Sequence, residues 1–531
     1  MTVTLSKSMR KYISVLFLAT LFVACGPPPD TCTYEIDKDC FCEKYPTDTR
    51  CKQTYISLNY SEYQMFVNDI VMLTVTTNLQ GDLRWYSTNP NIAKVFYGEV
   101  TAIAAGETNI VAKIGNDSAV CRVLVEAIPS IAAHQKSAKR GVGYGFSDAR
   151  DISVMAPGMS WYYNWGNNIS EYFDGIITQN NVIFIPMFWN GVDDAGADRV
   201  RALKLRHPEL EYILGFNEPN LQGQANLTPA QAATKWLQLM DLAQELNMKL
   251  VSPGMAAGGT MDPVAWLDQF FNLVPLSSCD AIAIHCYMPN SNSAIAYTQR
   301  FKKYGKPVWM TEFCAWEGFN GGVQGQMAYM SEMLNFFESD PQVGKYAWFI
   351  PRYTSDNTAP YMQLLKQSGP ELLPLGNVFV NASSQDKTSW ANAGERIEAE
   401  HFSSCSVKEY VESNGTTEIL NFHFQPTTDK NGNLEICDFL PKRWVEYQIN
   451  VAESGEHELL VRYANYYDAT FEITIDGANA FNAPFPKTGD FNIWKTAAFS
   501  VNLTAGHHTI RIKNTQGIGG FNINWLQFNK K

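Results

Sequence analysis

The pattern of hydrophobic and polar residues divides most of the chain into three regions. In residues 54–127, short runs that alternate apolar and polar positions are separated by turn residues, which is typical of an all-β domain. In residues 138–382, apolar runs alternate with stretches of helical character, which indicates repeated β/α units. From 395 to 531 the short alternating runs return. The pattern therefore predicts a β/α domain between two β domains.

The central region contains eight apolar runs that read as buried strands. Helical stretches, such as 229–246 and 324–338, lie between several of them. Eight strands alternating with helices over this length predict a (β/α)8 (TIM) barrel, whose active site forms at the C-terminal ends of the strands. The predicted strands are 141–146, 160–164, 182–188, 212–216, 249–253, 281–287, 307–311 and 346–350.

Two of these strands end next to a glutamate. Glu218 follows the fourth strand, and Glu312 follows the seventh. Because the strand ends of a barrel converge on one mouth, we expect the two carboxyl groups to face each other. Hydrolysis of a glycosidic bond needs one carboxyl as proton donor and a second as nucleophile or base. The sequence therefore predicts a glycoside hydrolase with Glu218 and Glu312 as its catalytic residues.

Other residues near strand ends are candidates for contact with the substrate. His285 and Tyr287 close the sixth strand, where either can orient Glu312, and Asn217 precedes the proposed acid. Flat aromatic rings suit stacking on sugar faces. For each candidate, packing in the core is the alternative. The aromatic candidates are Tyr144, Trp165, Trp189, Trp316 and Trp348.

Length and charge narrow the class of protein. A chain of 531 residues is too long for one core, so several domains are expected. The formal net charge of -12 argues against binding to nucleic acid. No phosphate-binding loop or metal-ligand spacing stands out, so we expect catalysis without a cofactor. The expected partner is a polysaccharide, and a monomer is expected.

The N-terminus has the features of an export signal. Lys7, Arg10 and Lys11 precede an apolar run, 12–24, that is too short to span a bilayer. The run ends at Phe-Val-Ala-Cys-Gly, 22–26, which resembles a bacterial lipobox with Cys25 as the lipidated residue. An ordinary cleaved signal peptide is the alternative. The resemblance implies a lipoprotein of the outer membrane or cell surface, with residues 1–25 as its signal peptide. Such a protein would be attached to the membrane by its lipid anchor only.

The cysteines fall into separate groups. Four lie in the segment 26–53, predicted to be a tether, where they can form two disulfides or, as the alternative, a zinc site. Cys405 and Cys437 are a further candidate pair. The four in the tether are Cys32, Cys40, Cys42 and Cys51, and Cys121, Cys279, Cys286 and Cys314 are expected to be buried thiols.

The central region resembles glycoside hydrolase family 128, a clan-A family of β-1,3-glucanases. Three segments carry the resemblance: Gly-Phe-Asn-Glu-Pro-Asn at 215–220, Asp-Ala-Ile-Ala-Ile-His-Cys-Tyr at 280–287, and Pro-Val-Trp-Met-Thr-Glu-Phe at 307–313. It implies that Glu218 is the acid/base, Glu312 the nucleophile, and Asn217 a contact to the substrate 2-hydroxyl. The implied activity is retaining endo-cleavage of laminarin-type or fungal-type β-1,3-glucan. Alternatives are another β-glucan linkage or a non-catalytic glycan-binding lipoprotein.

The flanking regions also resemble known domains. Residues 54–127 are similar to the bacterial Ig-like group 2 domain, a β-sandwich that is usually a spacer, with Trp85 in its core. Residues 395–531, after a predicted linker at 383–394, are similar to family 6 carbohydrate-binding modules, which are jelly-roll β-sandwiches. Both resemblances fit an enzyme that acts on a polymer.

The second resemblance implies roles for particular residues of the C-terminal module. Trp494 and Asn522 would contact sugar. Glu398 and Glu400 would help to hold a structural calcium ion, although Asn524 stands where an aspartate is usual. A neutral ligand binds a hard cation less strongly than a carboxylate does.

Overall fold

The protein is described by a computed structural model that forms two compact units, Met1–Ile128 and Pro129–Lys531. Cys25, Cys32 and Cys51 lie outside the described residues, whereas Cys40 and Cys42 are each disulfide-bonded. Among the described helices, none has the length and hydrophobicity that a bilayer span requires. The described residues are 38–45, 48, 54–316, 318–353, 361–407, 411–413, 416–418, 421–430, 432–517 and 520–531.

The first unit contains helix α1 (Lys38–Lys44) and strands that share one apolar core. Ile110 and Val123 are fully buried in this core, and Trp85 packs against it in a half-buried position, as predicted for a core residue. Its strands are β1 (Ile56–Leu58), β2 (Glu62–Phe66), β3 (Ile70–Met72), β4 (Val75–Thr77), β5 (Arg84–Ser87), β6 (Ala93–Phe96), β7 (Glu99–Ala102), β8 (Gly106–Ile114) and β9 (Asp117–Glu126). They form sheets in the orders β2-β9-β8-β5, β3-β7-β6 and β1-β4.

In the second unit, residues 140–381 alternate strands and helices. The strands are β10 (Arg140–Gly143), β11 (Trp161–Tyr163), β12 (Ile183–Phe184), β13 (Tyr212–Leu214), β14 (Lys249–Val251), β15 (Met255–Ala256), β16 (Ile282–Cys286), β17 (Val308–Phe313) and β18 (Val343–Trp348). The helices are α2 (Ala149–Met155), α3 (Asp174–Gln179), α4 (Asp194–Arg206), α5 (Pro229–Glu245), α6 (Pro263–Phe271), α7 (Ser291–Gln299), α8 (Gly322–Ser339) and α9 (Pro374–Asn381).

Every pairing among β10–β18 is parallel. Seven strands form a sheet in the order β12-β11-β10-β18-β17-β16-β15, and β13 pairs with β14. Single parallel bridges join Met187 to Leu214 and Val251 to Ala281. Each of the eight predicted strands overlaps an observed strand, although the fifth is short and β15 follows it as a separate strand. All residues of β16 and β17 are buried, which explains their continuous apolar runs.

The helices cover the sheet with one apolar face each. Helix α5 begins at a capping box, in which the Thr228 hydroxyl accepts from the Gln231 backbone and the Gln231 side chain accepts from the Thr228 backbone. Pro229 follows at the first helical position, where its missing N–H costs no hydrogen bond. The buried face of α5 includes Trp236 and Leu239. The predicted helix at 229–246 ends one residue later than the observed one.

The C-terminal region of the second unit is a sandwich of two mainly antiparallel sheets. Strand β26 alternates buried and half-buried residues, as the period-two pattern predicts. Its strands are β19 (Ala391–Asn392), β20 (Arg396–Glu398), β21 (Ser404–Cys405), β22 (Val411–Ser413), β23 (Thr416–Glu418), β24 (His423–Pro426), β25 (Leu434–Cys437), β26 (Trp444–Val451), β27 (Gly455–Asn465), β28 (Ala469–Ile475), β29 (Ala478–Phe485), β30 (Lys495–Leu503), β31 (Gly506–Gly517) and β32 (Phe521–Lys530). The two large sheets run β19-β26-β31-β28-β29 and β24-β25-β32-β27-β30.

Two predictions about this region are corrected. The predicted linker, 383–394, is packed: β19 lies within it, and Ser383 is buried and donates to the Phe402 carbonyl. Cys405 and Cys437 are free buried thiols and not a disulfide. Cys405 lies on β21, which pairs with β26 in one sheet, whereas Cys437 lies on β25 in the other sheet.

Candidate active site

A cavity of about 600 Å³ opens where β13, β16 and β17 end. Glu218 and Glu312 both line it, together with Asn217 and Gln224. Its size suits a ligand of several hundred Å³, and its mixture of carboxylates and rings suits a sugar. The aromatic residues around it are Trp165, Trp189, Tyr287, Trp316 and Phe349.

The backbone around Glu218 is held in an unusual conformation. Glu218 has a φ of 47°, in the left-handed region that residues other than glycine seldom adopt. Its N–H donates to the Gly254 carbonyl at 2.8 Å, and Asn217 forms a parallel bridge with the same residue. The strand end β13 therefore turns sharply at Glu218. This turn brings the Glu218 side chain to the wall of the cavity.

Glu312 is surrounded by hydrogen-bond donors. Its Oε1 accepts from the Tyr163 hydroxyl at 2.9 Å and from Trp165 Nε1 at 2.7 Å. Its Oε2 accepts from the Tyr287 hydroxyl. Hydrogen bonds from three side chains fix the position and orientation of this carboxyl group. The arrangement suits an anionic nucleophile.

His285 lies beneath both glutamates. Its Nδ1 is 2.9 Å from Glu218 Oε1 and 3.5 Å from Glu312 Oε2. Burial by itself would lower the pKa of His285, but the charge of Glu312 and the hydrogen bond to Glu218 raise it above the ordinary value. Gly254 packs against the ring, since a Cβ there would lie 2.7 Å from His285 Nε2. His285 therefore holds the two carboxyl groups in place from below.

The two carboxyl groups converge. One oxygen of Glu218 and one of Glu312 lie within 4.8 Å of each other, and a ring nitrogen of His285 lies within the same distance of each. Such spacing would also permit a metal ion. However, the oxygens of Glu312 already accept from Tyr163, Trp165 and Tyr287, which would compete with a cation for them. The geometry agrees better with a pair of catalytic carboxyl groups.

The predicted contact residues divide into three groups. Trp189 and Trp316 line the cavity, as do Asn217, Trp165 and Tyr287. His285 is buried and reaches the glutamates only. The prediction for Trp348 is corrected, since this ring is fully buried and its Nε1 donates to the Met362 carbonyl at 2.7 Å.

Tyr144 lies beside a different feature. Tyr144 does not line the cavity. It lies close to the Arg352 guanidinium, whose pKa is raised mainly by Asp151 and to a smaller extent by Tyr144. Arg352 forms an ion pair with the buried carboxylate of Asp151. Contact of Tyr144 with sugar therefore has no support from its surroundings.

Sequence reasoning missed several residues of the site. Tyr163 lies inside a predicted strand, where a tyrosine is ordinarily a core residue. Gln224 follows the Asn-Glu-Pro-Asn turn and accepts from Asn217 Nδ2 at 3.0 Å, which leaves Asn217 Oδ1 without a partner among the described residues. No local pattern distinguishes these residues. The other missed wall residues are Leu221, Met288 and Phe349.

The C-terminal module brings its two predicted sugar contacts near a buried acid. Asn522 is buried and donates to Glu435 Oε1 at 2.8 Å. Trp494 is half-buried, and its Nε1 donates to the Thr428 hydroxyl at 3.2 Å. Burial raises the pKa of Glu435. The exposed part of the Trp494 ring remains available for stacking.

Glu398 and Glu400 form a second pair of buried acids. Arg396 is hydrogen-bonded to Glu398 Oε1, and the Leu434 N–H donates to Glu400 Oε1 at 3.2 Å. The other oxygen of each glutamate, and Asn524 Oδ1, have no hydrogen-bond partner among the described residues. Burial raises the pKa of both acids, and the charge of Glu398 adds to the effect on Glu400. Oxygen donors without partners are what a hard cation requires.

Comparison with known proteins places two of these regions in families. Residues 141–379 match the model described as glycosyl hydrolase catalytic core, and 417–530 match carbohydrate binding module (family 6). The chain is 26% identical over 260 residues to alkali-sensitive linkage protein 1 of Schizosaccharomyces pombe, a match that covers 46% of this chain and 45% of the yeast protein. The chain thus spans about half the length of that relative.

Two solved structures are similar over nearly their whole length. The GH128 (subgroup II) endo-β-1,3-glucanase of Sorangium cellulosum is 33% identical, with 46% of this chain and 97% of that chain covered and a TM-score of 0.41. The corresponding enzyme of Pseudomonas viridiflava is 35% identical, with 46% and 98% covered and a TM-score of 0.42. The central domain therefore matches a glycosyl hydrolase catalytic core and is similar in sequence to these GH128 enzymes.

Proposed function

We propose that the protein is a retaining endo-β-1,3-glucanase that acts on laminarin-type or fungal-type glucan. The observation that carries the proposal is the approach of Glu218 and Glu312 to within 4.8 Å in an open cavity. Carboxyl groups of retaining glycosidases are about 5–5.5 Å apart, whereas inverting enzymes leave about 6.5–9.5 Å for a water molecule. The β-1,3 linkage rests on the relatives, both of which are named endo-β-1,3-glucanases.

The different surroundings of the two acids support their roles. Among the described residues, the Glu218 side chain is hydrogen-bonded to His285 alone, and it faces the cavity, where it can pass a proton to the leaving oxygen. Glu312, held in position by three donors, attacks the anomeric carbon and forms a glycosyl-enzyme. Glu218 then removes a proton from the water that releases the sugar. Asn217 Oδ1, which has no hydrogen-bond partner among the described residues, accepts a hydrogen bond from the substrate 2-hydroxyl.

The strand pairings support a closed (β/α)8 barrel for the central domain. The bridge between Met187 and Leu214 links the end of the seven-stranded sheet to β13, and the bridge between Val251 and Ala281 links β14 back to it. With these two links, we propose that the parallel strands close into a ring. In such a ring the carboxyl ends of β13 and β17 share one mouth.

Product analysis tests the proposal. The intact chain is incubated with laminarin-type glucan, and the anomeric form of the fresh product is followed by NMR. We expect β-configured oligosaccharides of mixed length, and no such products from Glu218→Gln. Initial α-configured product would exclude retention, and release of single glucose units alone would exclude endo action. A panel of β-1,4-linked and mixed-linkage glucans tests the assignment of the linkage.

The N-terminal parts fit a role in display of the enzyme. We propose export as a lipoprotein through Cys25, with 54–127 as an Ig-like spacer between the anchor and the catalytic domain. The basic residues and short apolar run of the first 25 residues support export. The all-β sheets and the apolar core against which Trp85 packs support the spacer. Metabolic labelling with a fatty acid, compared between wild type and Cys25→Ala, tests the anchor.

A calcium ion in the C-terminal module is the one metal we propose, with a structural role. Glu398, Glu400 and Asn524 each offer a buried side-chain oxygen without a protein partner. The donor set is oxygen only, which suits calcium. The ion would neutralise two acids that burial otherwise disfavours as anions. Titration calorimetry of the intact chain with calcium tests this, and the absence of binding heat with no change in melting temperature would refute it.

A further inference from the structure

A second cavity, of about 540 Å³, lies between the catalytic domain and the C-terminal module. The loop after β16 and helix α8 contribute Asn290, Ala328 and Tyr329 to its wall. The module contributes Asn421 and His423. Both regions belong to the same compact unit, so the cavity is a feature of one body.

The second cavity borders the active-site cavity. Met288 lines the first cavity and Pro289 lines the second. The Cα atoms of these neighbouring residues are about 3.8 Å apart, so the two cavities share a border there. A similar step occurs in the loop after β17, where Trp316 lines the first cavity and Phe319 the second. The Phe319 N–H donates to the Trp316 carbonyl at 3.0 Å. A polysaccharide chain that extends from the active site along these loops would therefore enter the second cavity.

Two buried polar groups in the wall lack partners. The Tyr329 hydroxyl and Asn421 Nδ2 have no hydrogen-bond partner among the described residues, and Tyr329 is only 4% exposed. A buried donor without a partner is costly to the free protein. A ligand rich in hydroxyl groups would supply what both lack. One group lies on the catalytic domain and the other on the module, so such a ligand would contact both.

The module wall is held firmly against the catalytic domain. His423 lies 3.1 Å from Glu332 Oε1 on α8 and 2.9 Å from Asp438 Oδ2 of the module. Burial opposes its charge, but both carboxylates raise the pKa of His423 to about 9, so the bridge is ionic at neutral pH. The Phe424 N–H also donates to the Ser331 hydroxyl at 3.0 Å. The cavity is therefore preformed, which lowers the entropic cost of binding.

We propose that this cavity is a distal binding subsite for the polysaccharide, built jointly by the catalytic domain and the C-terminal module. The ligand class is a β-linked glucan chain whose cleaved bond lies in the first cavity. The subsite rests on the proposed function, because it takes the same chain as the active site. Its effect is to favour long substrates over short ones.

Filling the cavity tests the subsite. Ala328 is a partly buried residue of α8 that lines the cavity, so Ala328→Trp places a large ring there, and Ala328→Ser is the matched control. With the intact chain, we expect kcat/KM for the β-1,3-linked polymer to fall about tenfold in Ala328→Trp and to stay unchanged for the trisaccharide. Tyr329→Phe removes only the unpartnered hydroxyl. We therefore expect kcat/KM for the polymer to fall about threefold while the melting temperature stays unchanged.

Each other outcome has a definite meaning. An unchanged polymer rate in Ala328→Trp would overturn the subsite, and so would an equal loss for polymer and trisaccharide. If the wild type cleaves no β-1,3-glucan, the proposed function fails, and the subsite is then judged by calorimetric binding of the polymer. In that assay, equal affinity of wild type and Ala328→Trp would overturn it.

Discussion

The protein contains two pairs of buried glutamates whose surroundings differ. Glu218 and Glu312 are 6% and 5% exposed, and Glu398 and Glu400 are 1% and 0% exposed, so burial alone does not distinguish the pairs. The difference lies in the donors. Glu312 accepts from three side chains, whereas Glu398 and Glu400 each keep an oxygen without a hydrogen-bond partner among the described residues. This difference is the basis of our proposal that the first pair reacts and the second binds a cation.

The two pairs also differ in access. The catalytic pair lines a cavity of about 600 Å³ that a substrate can enter. The module pair is enclosed between β20 and its neighbours, with Arg396 beside Glu398. Two carboxyl groups close together are therefore not a functional signature in themselves. Their hydrogen-bond partners and their access to solvent decide what they can do.

Exchanging one acid from each pair for glutamine gives the largest expected contrast. Glu312→Gln should lower kcat by at least about a thousandfold, because the nucleophile is lost. Glu398→Gln should leave hydrolysis of a short oligosaccharide unchanged, since it lies in the other domain. Kinetics on a β-1,3-linked trisaccharide measure both. Equal losses in the two variants would contradict the division of roles.

Removing one donor to Glu312 should have a smaller effect. Tyr163→Phe deletes a hydrogen bond to a charged group, worth about 1.5–3 kcal/mol, and should lower kcat about ten- to a hundredfold. Tyr162→Phe is the matched control, because its buried hydroxyl has no partner among the described residues. A Tyr163→Phe enzyme with wild-type kcat would show that this donor does not stabilise the nucleophile.

The module pair should make stability depend on both pH and calcium. Burial and the charge of Glu398 raise the pKa of Glu400, so the folded state retains a proton that the unfolded chain releases. In a chelator, stability should therefore fall as pH rises above about 4.5, the ordinary value for glutamate. Calcium should counteract this loss of stability and raise the melting temperature at pH 7 by about 5 °C.

Thermal melts from pH 5 to pH 8, with chelator or with calcium, measure this effect. Glu400→Gln is the matched variant, and it should melt at the same temperature under both conditions. A calcium effect of equal size in Glu400→Gln would locate the ion elsewhere.

The smallest effect concerns attachment of the polymer. Trp494→Ala removes a half-buried ring from the module and should weaken binding of the insoluble glucan about tenfold. Hydrolysis of a trisaccharide should remain at the wild-type rate. Pull-down with insoluble β-1,3-glucan and trisaccharide kinetics provide the two measurements. Loss of trisaccharide hydrolysis would mean that the substitution disturbs the catalytic domain.

Much of the site follows from local sequence, and some of it does not. Glu218 and Glu312 were predictable because each lies at the end of an apolar run of the sequence, and strand ends converge. Tyr163 and Trp348 show the limit of this reasoning. Both are aromatic residues in predicted strands, yet Tyr163 donates to Glu312 and Trp348 is enclosed in the core. In short strands, the local twist and register decide which way each side chain points, and the sequence pattern does not show it.

The sequence alone determined the order of strands and helices, the two strand-end glutamates and the β pattern on either side, because these depend on local periodicity. The tertiary structure decided which groups contact each acid, that Cys405 and Cys437 lie in different sheets, and that the module forms a wall beside the cleft. The physical reason is that hydrogen bonds and cavities join residues far apart in the chain. Their partners are set by how the sheets and helices pack.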